Sequence, residues 1–370
     1  MAHNGSLLIG RQATLRVRGN ATWTQSGGMV VRGVGGYGAT FAVNAGGTFR
    51  YAGPTTVEIN PDPANTGGAL LAISGGVFTT GRAFVFGGST STGAGTLRIS
   101  GGGRLVLTAD IPDLATGATG GRFELAASGG GEIDTAGFSA AINRPVVNQS
   151  GQTGSLIKSG AGTLTLSAVN TYTGTTVVTG GTLLLTGGIA SSAATVSGAG
   201  TLAGTGVAGA LTISSGGTLS PGNSGVGTLA TGPLILGAGA TARFEVGATC
   251  DRVNVTGALT LGGTIQLVDT GSLTSGSYTI ITHTGRGGTA AVSPPPGYTA
   301  RLDTSTAGTV RVVLLANTYE TWCRDHFTAA KSSIPPSADR TRRRRGRAPQ
   351  PGQICTWLCR PRSPRRPASR

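Results

Sequence analysis

Apolar and polar positions alternate in short runs along most of the chain. Thr96-Leu97-Arg98-Ile99, Leu164-Thr165-Leu166, Thr182-Leu183-Leu184-Leu185 and Ile265-Gln266-Leu267-Val268 all place aliphatic side chains two residues apart. In an extended chain that spacing sends alternate side chains to opposite faces, so each run predicts a short strand with one apolar side. Gly-Gly and Ser-Gly pairs at the edges of the runs allow the positive φ of sharp corners. Residues 1–316 carry no sustained stripe of 3.6-residue period, so helices are not expected there.

The runs also repeat. A unit of Gly, then Thr, Val or Arg, then an apolar residue occurs at 47–49, 76–78, 95–97, 103–105, 162–164, 181–183, 200–202, 217–219, 227–229 and 263–265. Gly162, Gly181, Gly200 and Gly217 follow one another at intervals of 19, 19 and 17 residues, and Gly76 and Gly95 also lie 19 apart. About twenty residues hold two or three short strands and their corners, which is one coil of a solenoid. Stacked coils would set equivalent strands about 4.8 Å apart, pair their backbone groups and line the interior with aliphatic ladders. An antiparallel sandwich, the rival fold, would use Asn-Gly or Asp-Gly hairpins every 8–12 residues or so. Asn4-Gly5 is the one such pair in the sequence.

Within residues 150–270 the pattern becomes specific. Lys158-Ser159-Gly160-Ala161-Gly162-Thr163-Leu164 is followed by Asn170-Thr171-Tyr172-Thr173-Gly174 and then by Gly180-Gly181-Thr182-Leu183. This order closely resembles the autotransporter-associated β-strand repeat, also called the passenger-associated transport repeat. Gly217-Thr218-Leu219-Ser220-Pro221-Gly222-Asn223 and Asp251-Arg252-Val253-Asn254 also look like that family. The likeness extends over 150–316 and is weaker over 1–149. It implies a right-handed β-helix stalk in a large exported protein, with no catalytic residues belonging to the repeat.

Composition fits an ordered, unusual chain. Of 370 residues 66 are Gly, charged residues make up 12% and aromatics 5%. The net charge of +15 is uneven. Residues 1–316 hold 16 basic and 11 acidic residues, whereas 317–370 hold 13 and 3. That tail also carries Cys323, Cys355 and Cys359, leaving Cys250 as the lone Cys of the body, which therefore forms no internal disulfide. Beyond Lys331 the tail is rich in Pro, Arg and Ser, including Arg342 to Arg345, and has no apolar period. It reads as a disordered basic segment whose composition fits translation out of frame. Neither a signal peptide nor an apolar run long enough for a transmembrane helix is visible, nor is a series of barrel strands. Export, if it occurs, would depend on parts not seen in this sequence.

Candidate chemistry is sparse. Gly33 to Gly38 and Gly204 to Gly209 match the GxGxxG fingerprint, but strand-like residues follow where a dinucleotide site needs a helix. Ser224 has Gly222 two residues before it and Val226 two after, so it fails the GxSxG elbow. Potential bases in the body are His3 and His283. The acids are scattered, and Glu132 and Asp134, the one pair projecting from a single strand face, read as an exposed face rather than a catalytic pair. Asp251-Arg252 reads as a turn with a surface ion pair. Cys250 lacks a Cys or His neighbour, and Cys355-Thr356-Trp357-Leu358-Cys359 lacks zinc spacing.

The expectation is therefore an all-β, right-handed parallel β-helix with a disordered basic C-terminal tail. Residues 1–149 form degenerate coils, 150–316 the repeat-bearing helix and 317–370 the tail. Its expected function is that of a non-enzymatic stalk of a surface or secreted protein, with no catalytic, cofactor-binding or metal-binding residues. An adhesin would instead need a continuous exposed aromatic or polar ladder. A β-helical carbohydrate-active enzyme would need acids converging on one groove. Outer-membrane export machinery or surface ligands are the expected partners; nucleic acid is not, because the Arg-rich tail lacks interleaved aromatics.

Overall fold

The computed structural model describes residues 1–34, 37–60, 67–87, 95–117, 120–126 and 129–317. These residues form a β-solenoid of about 11 turns, and no helix occurs among them. The Arg/Pro-rich tail beyond Asn317 lies outside the described residues, as does the reading of it as out of frame.

Strands stack in parallel from one coil to the next. One ladder is continuous, running from Ala2–His3 through Thr48–Tyr51, Gly103–Leu107 and Leu156–Ser159 to Gly285–Gly288. Gly131–Asp134 pairs with Leu156–Ser159, so this ladder passes residue 149 without a break. A second face runs from Leu7–Ile9 to Ala115–Gly117, and then from Ala140–Ile142 to Ala291–Ser293. Its junction is the bridge between Ile111 and Ala140. The third face runs from Thr14–Val17 to Val146–Asn148, then from Gly188–Ile189 to Gly276–Thr282. Parallel pairing on all three faces excludes the hairpin sandwich.

Alternation within each strand decides what is inside. Leu164 and Leu166 are buried and Thr165 between them is half-buried on the outside. Register then turns alternation into ladders: Leu164, Leu183, Leu202 and Leu219 lie over one another, continuing through Ala242 and Ile265. Each fully buried Leu contributes about 1.5–3 kcal/mol relative to exposure, and the ladder repeats that gain coil after coil.

Coil length varies, and the interior follows it. In the lower solenoid Thr48 stacks on Val77, and Val77 on Arg104. In the repeat segment Leu156 stacks on Thr176, Thr176 on Ala194 and Ala194 on Leu211, so the lower coils are about half as long again. Their third-face strands are six residues long, as in Ala69–Ser74 and Gly95–Ser100, against two in Gly188–Ile189, and a wider face needs bulkier filling to reach interior packing density. There the core is aromatic: Phe41 and Phe49 centroids lie 4.7 Å apart, Phe49 and Phe78 5.1 Å, Phe78 and Phe84 5.6 Å. The short coils are filled by Leu and Val.

This geometry sorts the repeat units. Those at 162, 181, 200 and 217 are equivalent positions on the second face, as their spacing predicts. Gly76 and Gly95, although spaced alike, are not: Val77 belongs to the first ladder and Gly95 to the third face. The unit at 227–229 is likewise on the third face. A Gly before a strand marks any corner, so the motif alone does not say which one.

The final coils depart from the parallel pattern. Pro294-Pro295-Pro296 cannot donate to a continuing ladder, and the chain turns back after them. Thr309–Ala316 then pairs antiparallel with both Gly276–Thr282 and Tyr298–Asp303.

Candidate functional site

The densest polar chemistry lies inside the repeat. From Asn170 to Val178 burial alternates without exception: Asn170, Tyr172, Gly174, Thr176 and Val178 face in, and Thr171, Thr173, Thr175 and Val177 face out. Period two thus persists through a corner that forms no strand before Thr176. An inward polar residue is tolerated only when its bonds are made. Asn170 meets this fully. Its Oδ1 accepts from Val146 N at 2.9 Å, and its Nδ2 donates to the Ala168 and Gly188 carbonyls, each at 2.9 Å. It therefore joins three coils where the third ladder has a gap between Val146–Asn148 and Gly188–Ile189.

Tyr172 is fully buried, and its hydroxyl lies 2.6 Å from Thr176 Oγ1. Thr176 in turn lies 2.8 Å from Ser192 Oγ, which donates to the Gly174 carbonyl at 2.6 Å. Burial pushes the Tyr172 phenol up to about 12, against the hydrogen bonds from Thr176 and Ser192. Gly174 and Gly181 are sterically required. A Cβ on Gly174 would run into the Gly154 carbonyl, and one on Gly181, which has φ +61°, would meet the Gly162 carbonyl and Lys158 Nζ.

Lys158 occupies an unexpected place. In register it lies between Ile133 and Val178, a rung of the apolar ladder, and it is fully buried. Its Nζ donates to the carbonyls of Ser159, Gly160 and Gly180, each at 2.9 Å. Those carbonyls lie at the strand end and in the corners beside it, and the ammonium gives each a charge-assisted hydrogen bond, alongside Thr135, which also donates to the Ser159 and Gly160 carbonyls. Burial pushes Lys158 down to about 8, against the opposing pull of Asp134.

Acidic residues are tied up elsewhere. Arg98 Nη2 meets Glu124 Oε2 at 2.8 Å and Arg122 Nε meets Glu124 Oε1 at 3.0 Å. Arg104 Nε lies 3.1 Å from Glu132 Oε1 and its Nη2 contacts Asp134, while Ser159 Oγ donates to Glu132. Asp134 is buried and Glu132 half-buried, which corrects the expectation of an exposed face: the strand above and Arg104 cover them.

Asp251 is a second correction. It is fully buried instead of forming a surface ion pair. Oδ1 accepts from Gly227 N at 2.7 Å and Oδ2 from Glu245 N at 2.8 Å. It fastens the Gly222–Gly227 corner through the Gly227 amide, and burial raises its pKa. Sequence reading missed both Lys158 and Asp251 as interior residues, because charge argues for the surface until specific backbone partners are known.

The remaining candidates do not assemble. Ser224 is exposed in this corner, whereas His3 lies at the far end of the solenoid, 2.9 Å from Gln25 Oε1. His283 Nδ1 makes no hydrogen bond, and burial with nearby Arg286 lowers its pKa. Gly204 to Gly209 leads into the strand Leu211–Ile213. Gly35 and Gly36 of the other GxGxxG lie outside the described residues, and the strand Ala39–Asn44 follows them. Cys250 Sγ is 3.4 Å from the Thr279 carbonyl. Among the described residues no group of three or more His, Cys, Asp and Glu could hold a metal ion, and no helix is long and apolar enough to cross a membrane.

On the outside of the second face, Thr163, Thr182, Thr201, Thr218, Thr241 and Thr264 form an unbroken column. All are half-buried.

Stacked parallel coils whose inward polar residues bond to neighbouring coils and corners define a β-solenoid repeat protein. Residues 156–185 match the family described as passenger-associated-transport-repeat. The match and the solenoid fit an autotransporter passenger repeat protein. The match spans Lys158, Asn170, Tyr172, Gly174 and Gly181, and does not extend over the wider likeness at 150–316. No curated protein matches the chain.

Proposed function

We propose that this chain is a structural stalk of an autotransporter-type surface or secreted protein, displaying other passenger segments or aiding their export, and that it catalyses nothing itself. One observation carries the reading: Lys158, Asn170 and Tyr172, the chemically distinctive residues of the repeat, all face inward and spend their bonds on neighbouring coils and corners. Each coil is completed by the one stacked on it, so stability accrues coil by coil. Folding in that manner outside the cell would favour outward movement, because a stacked coil resists being pulled back. The family likewise suggests a surface or secreted location, and outer-membrane export machinery is the partner we infer.

The test places the full chain between an export signal and an outer-membrane barrel in a Gram-negative host. Protease added to intact cells should reach the chain at the surface. Gly181→Ala, which forces a Cβ into the Gly162 carbonyl, should lower the surface amount several-fold, since overpacking and a left-handed non-Gly residue together cost about 2–4 kcal/mol. Equal display of the variant would remove the folding-driven role. Reducing-end release from a polysaccharide panel should stay at background with the purified chain; turnover would overturn the non-enzymatic half.

A further inference from the structure

Coil length changes abruptly above the repeat. Ala194 stacks on Leu211 and Leu211 on Leu234, and the second of these coils is longer than the first by about a third. Much of the added length leaves the tube between the strands Thr218–Pro221 and Thr228–Thr231. It stands against the outside of the second face and walls a groove of about 300 Å³.

The floor comes from outward positions of successive coils, Leu184, Ala203 and Ser220, which lie in register. Thr182 of the threonine column borders it, and Arg243 and Glu245 of the next coil close one end. The wall is preformed. Asp251 accepts from both Gly227 N and Glu245 N, and Gly222 N donates to the Gly204 carbonyl at 2.9 Å. Gly222 at φ +92° and Ser224 at φ +58° hold the left-handed bends that aim Asn223 and Ser224 at the groove. A left-handed non-Gly residue is costly and persists where its surroundings enforce it.

The chemistry of this groove selects among ligands. Its two charges neutralise each other, with Arg243 Nη1 3.3 Å from Glu245 Oε1. An anion therefore finds no free cation here. Floor strands are hydrogen-bonded to coils on both sides, so an extended peptide has no open edge to join. No aromatic residue lines the groove to stack a base. What remains are hydroxyl and amide groups around a small apolar floor, the complement of an uncharged polyhydroxy ring with its C–H face. The volume is at the lower end for ligand pockets, which suits one or two rings.

We propose that the groove beneath the Gly222–Gly227 corner is a binding site for a neutral saccharide of one or two rings. This goes beyond the stalk role and does not depend on it: display could succeed with the groove empty, and the groove could bind sugar in a chain that is never displayed.

Saturation-transfer difference NMR on the purified full chain tests it, with glucose, galactose, maltose, lactose, cellobiose and glucuronate as probes. At least one neutral sugar should bind saturably with a millimolar Kd. Ala203→Phe fills the floor and should abolish that binding, while Val85→Phe, on an outward position of the second face far down the solenoid, should leave it unchanged. The exposed-loop double variant Asn223→Ala/Ser224→Ala should weaken binding about tenfold, equivalent to about 1.4 kcal/mol, and gives the answer if Ala203→Phe does not fold. No saturable signal from any neutral probe up to about 50 mM, well beyond the millimolar range expected, would overturn the proposal. So would undiminished binding by both groove variants, or tighter binding of glucuronate than of glucose.

Discussion

Lys158 and Tyr172 put two titrating groups of opposite kind inside one repeat, and their effects on stability occupy adjacent pH windows. Lys158 titrates near 8 in the folded chain against an ordinary 10.5. Between those values the unfolded chain keeps a proton that the folded chain has released, so stability rises with pH. Tyr172 titrates near 12 against an ordinary 10.0. Between those values the folded chain keeps the proton, so stability falls. Urea unfolding of the wild type should therefore show a gain from about pH 8 to 10 and a loss above it. Lys158→Met should remove the gain and Tyr172→Phe the loss; an unchanged profile in either variant would refute the assignment of that limb. Asp251→Ala leaves the buried amides of Gly227 and Glu245 without an acceptor. It should cost about 2–6 kcal/mol by thermal or chemical unfolding, at about 1–3 per orphaned group.

At the scale of a strand, the alternation makes neighbouring residues energetically unlike. Leu183 is fully buried in the ladder between Leu164 and Leu202, while Leu184 beside it faces the groove. Leu183→Ala should cost about 2–5 kcal/mol and Leu184→Ala within about 0.5, read from the shift in urea midpoint. Comparable losses would mean the register is off by one. This contrast was legible beforehand, because period two is local and needs no partner to be seen. The face on which a repeat unit falls was not. Gly76 and Gly95 share the spacing of the upper coils yet sit on different faces, since the coils there are about half as long again as those of the repeat. Local pattern gives strand and corner; only closure of the coil gives the face.

Across the whole molecule, contacts run between adjacent coils and scarcely beyond, so the chain behaves as a one-dimensional stack. A cavity at Leu183 should therefore loosen its own and neighbouring coils first. Native-state hydrogen exchange on Leu183→Ala should show lost amide protection in residues about 156–213, with the Phe41–Phe49–Phe78 region close to wild type. Uniform loss along the chain would show one all-or-none unit instead. The stack ends differently from how it proceeds. After Pro294-Pro295-Pro296 the antiparallel strands Tyr298–Asp303 and Thr309–Ala316 cover the third face's last parallel strand. The sequence reading assigned all of 150–316 to the parallel helix, and these last strands depart from it, because a strand's own residues do not encode whether its partner runs with or against it.

Taken by itself, the sequence determined that the body is all-β and coiled around aliphatic ladders, and that a passenger-type repeat lies within 150–316, because periodicity and glycine corners act over a few residues. The tertiary structure decided where the charges go. Lys158 and Asp251 lie inside because the corners beside them present carbonyls and amides to their charged heads, and Asp134 is covered because Arg104 stacks against it. Those partners come from other coils and adjoining corners, at distances set by coil lengths that no local pattern reports.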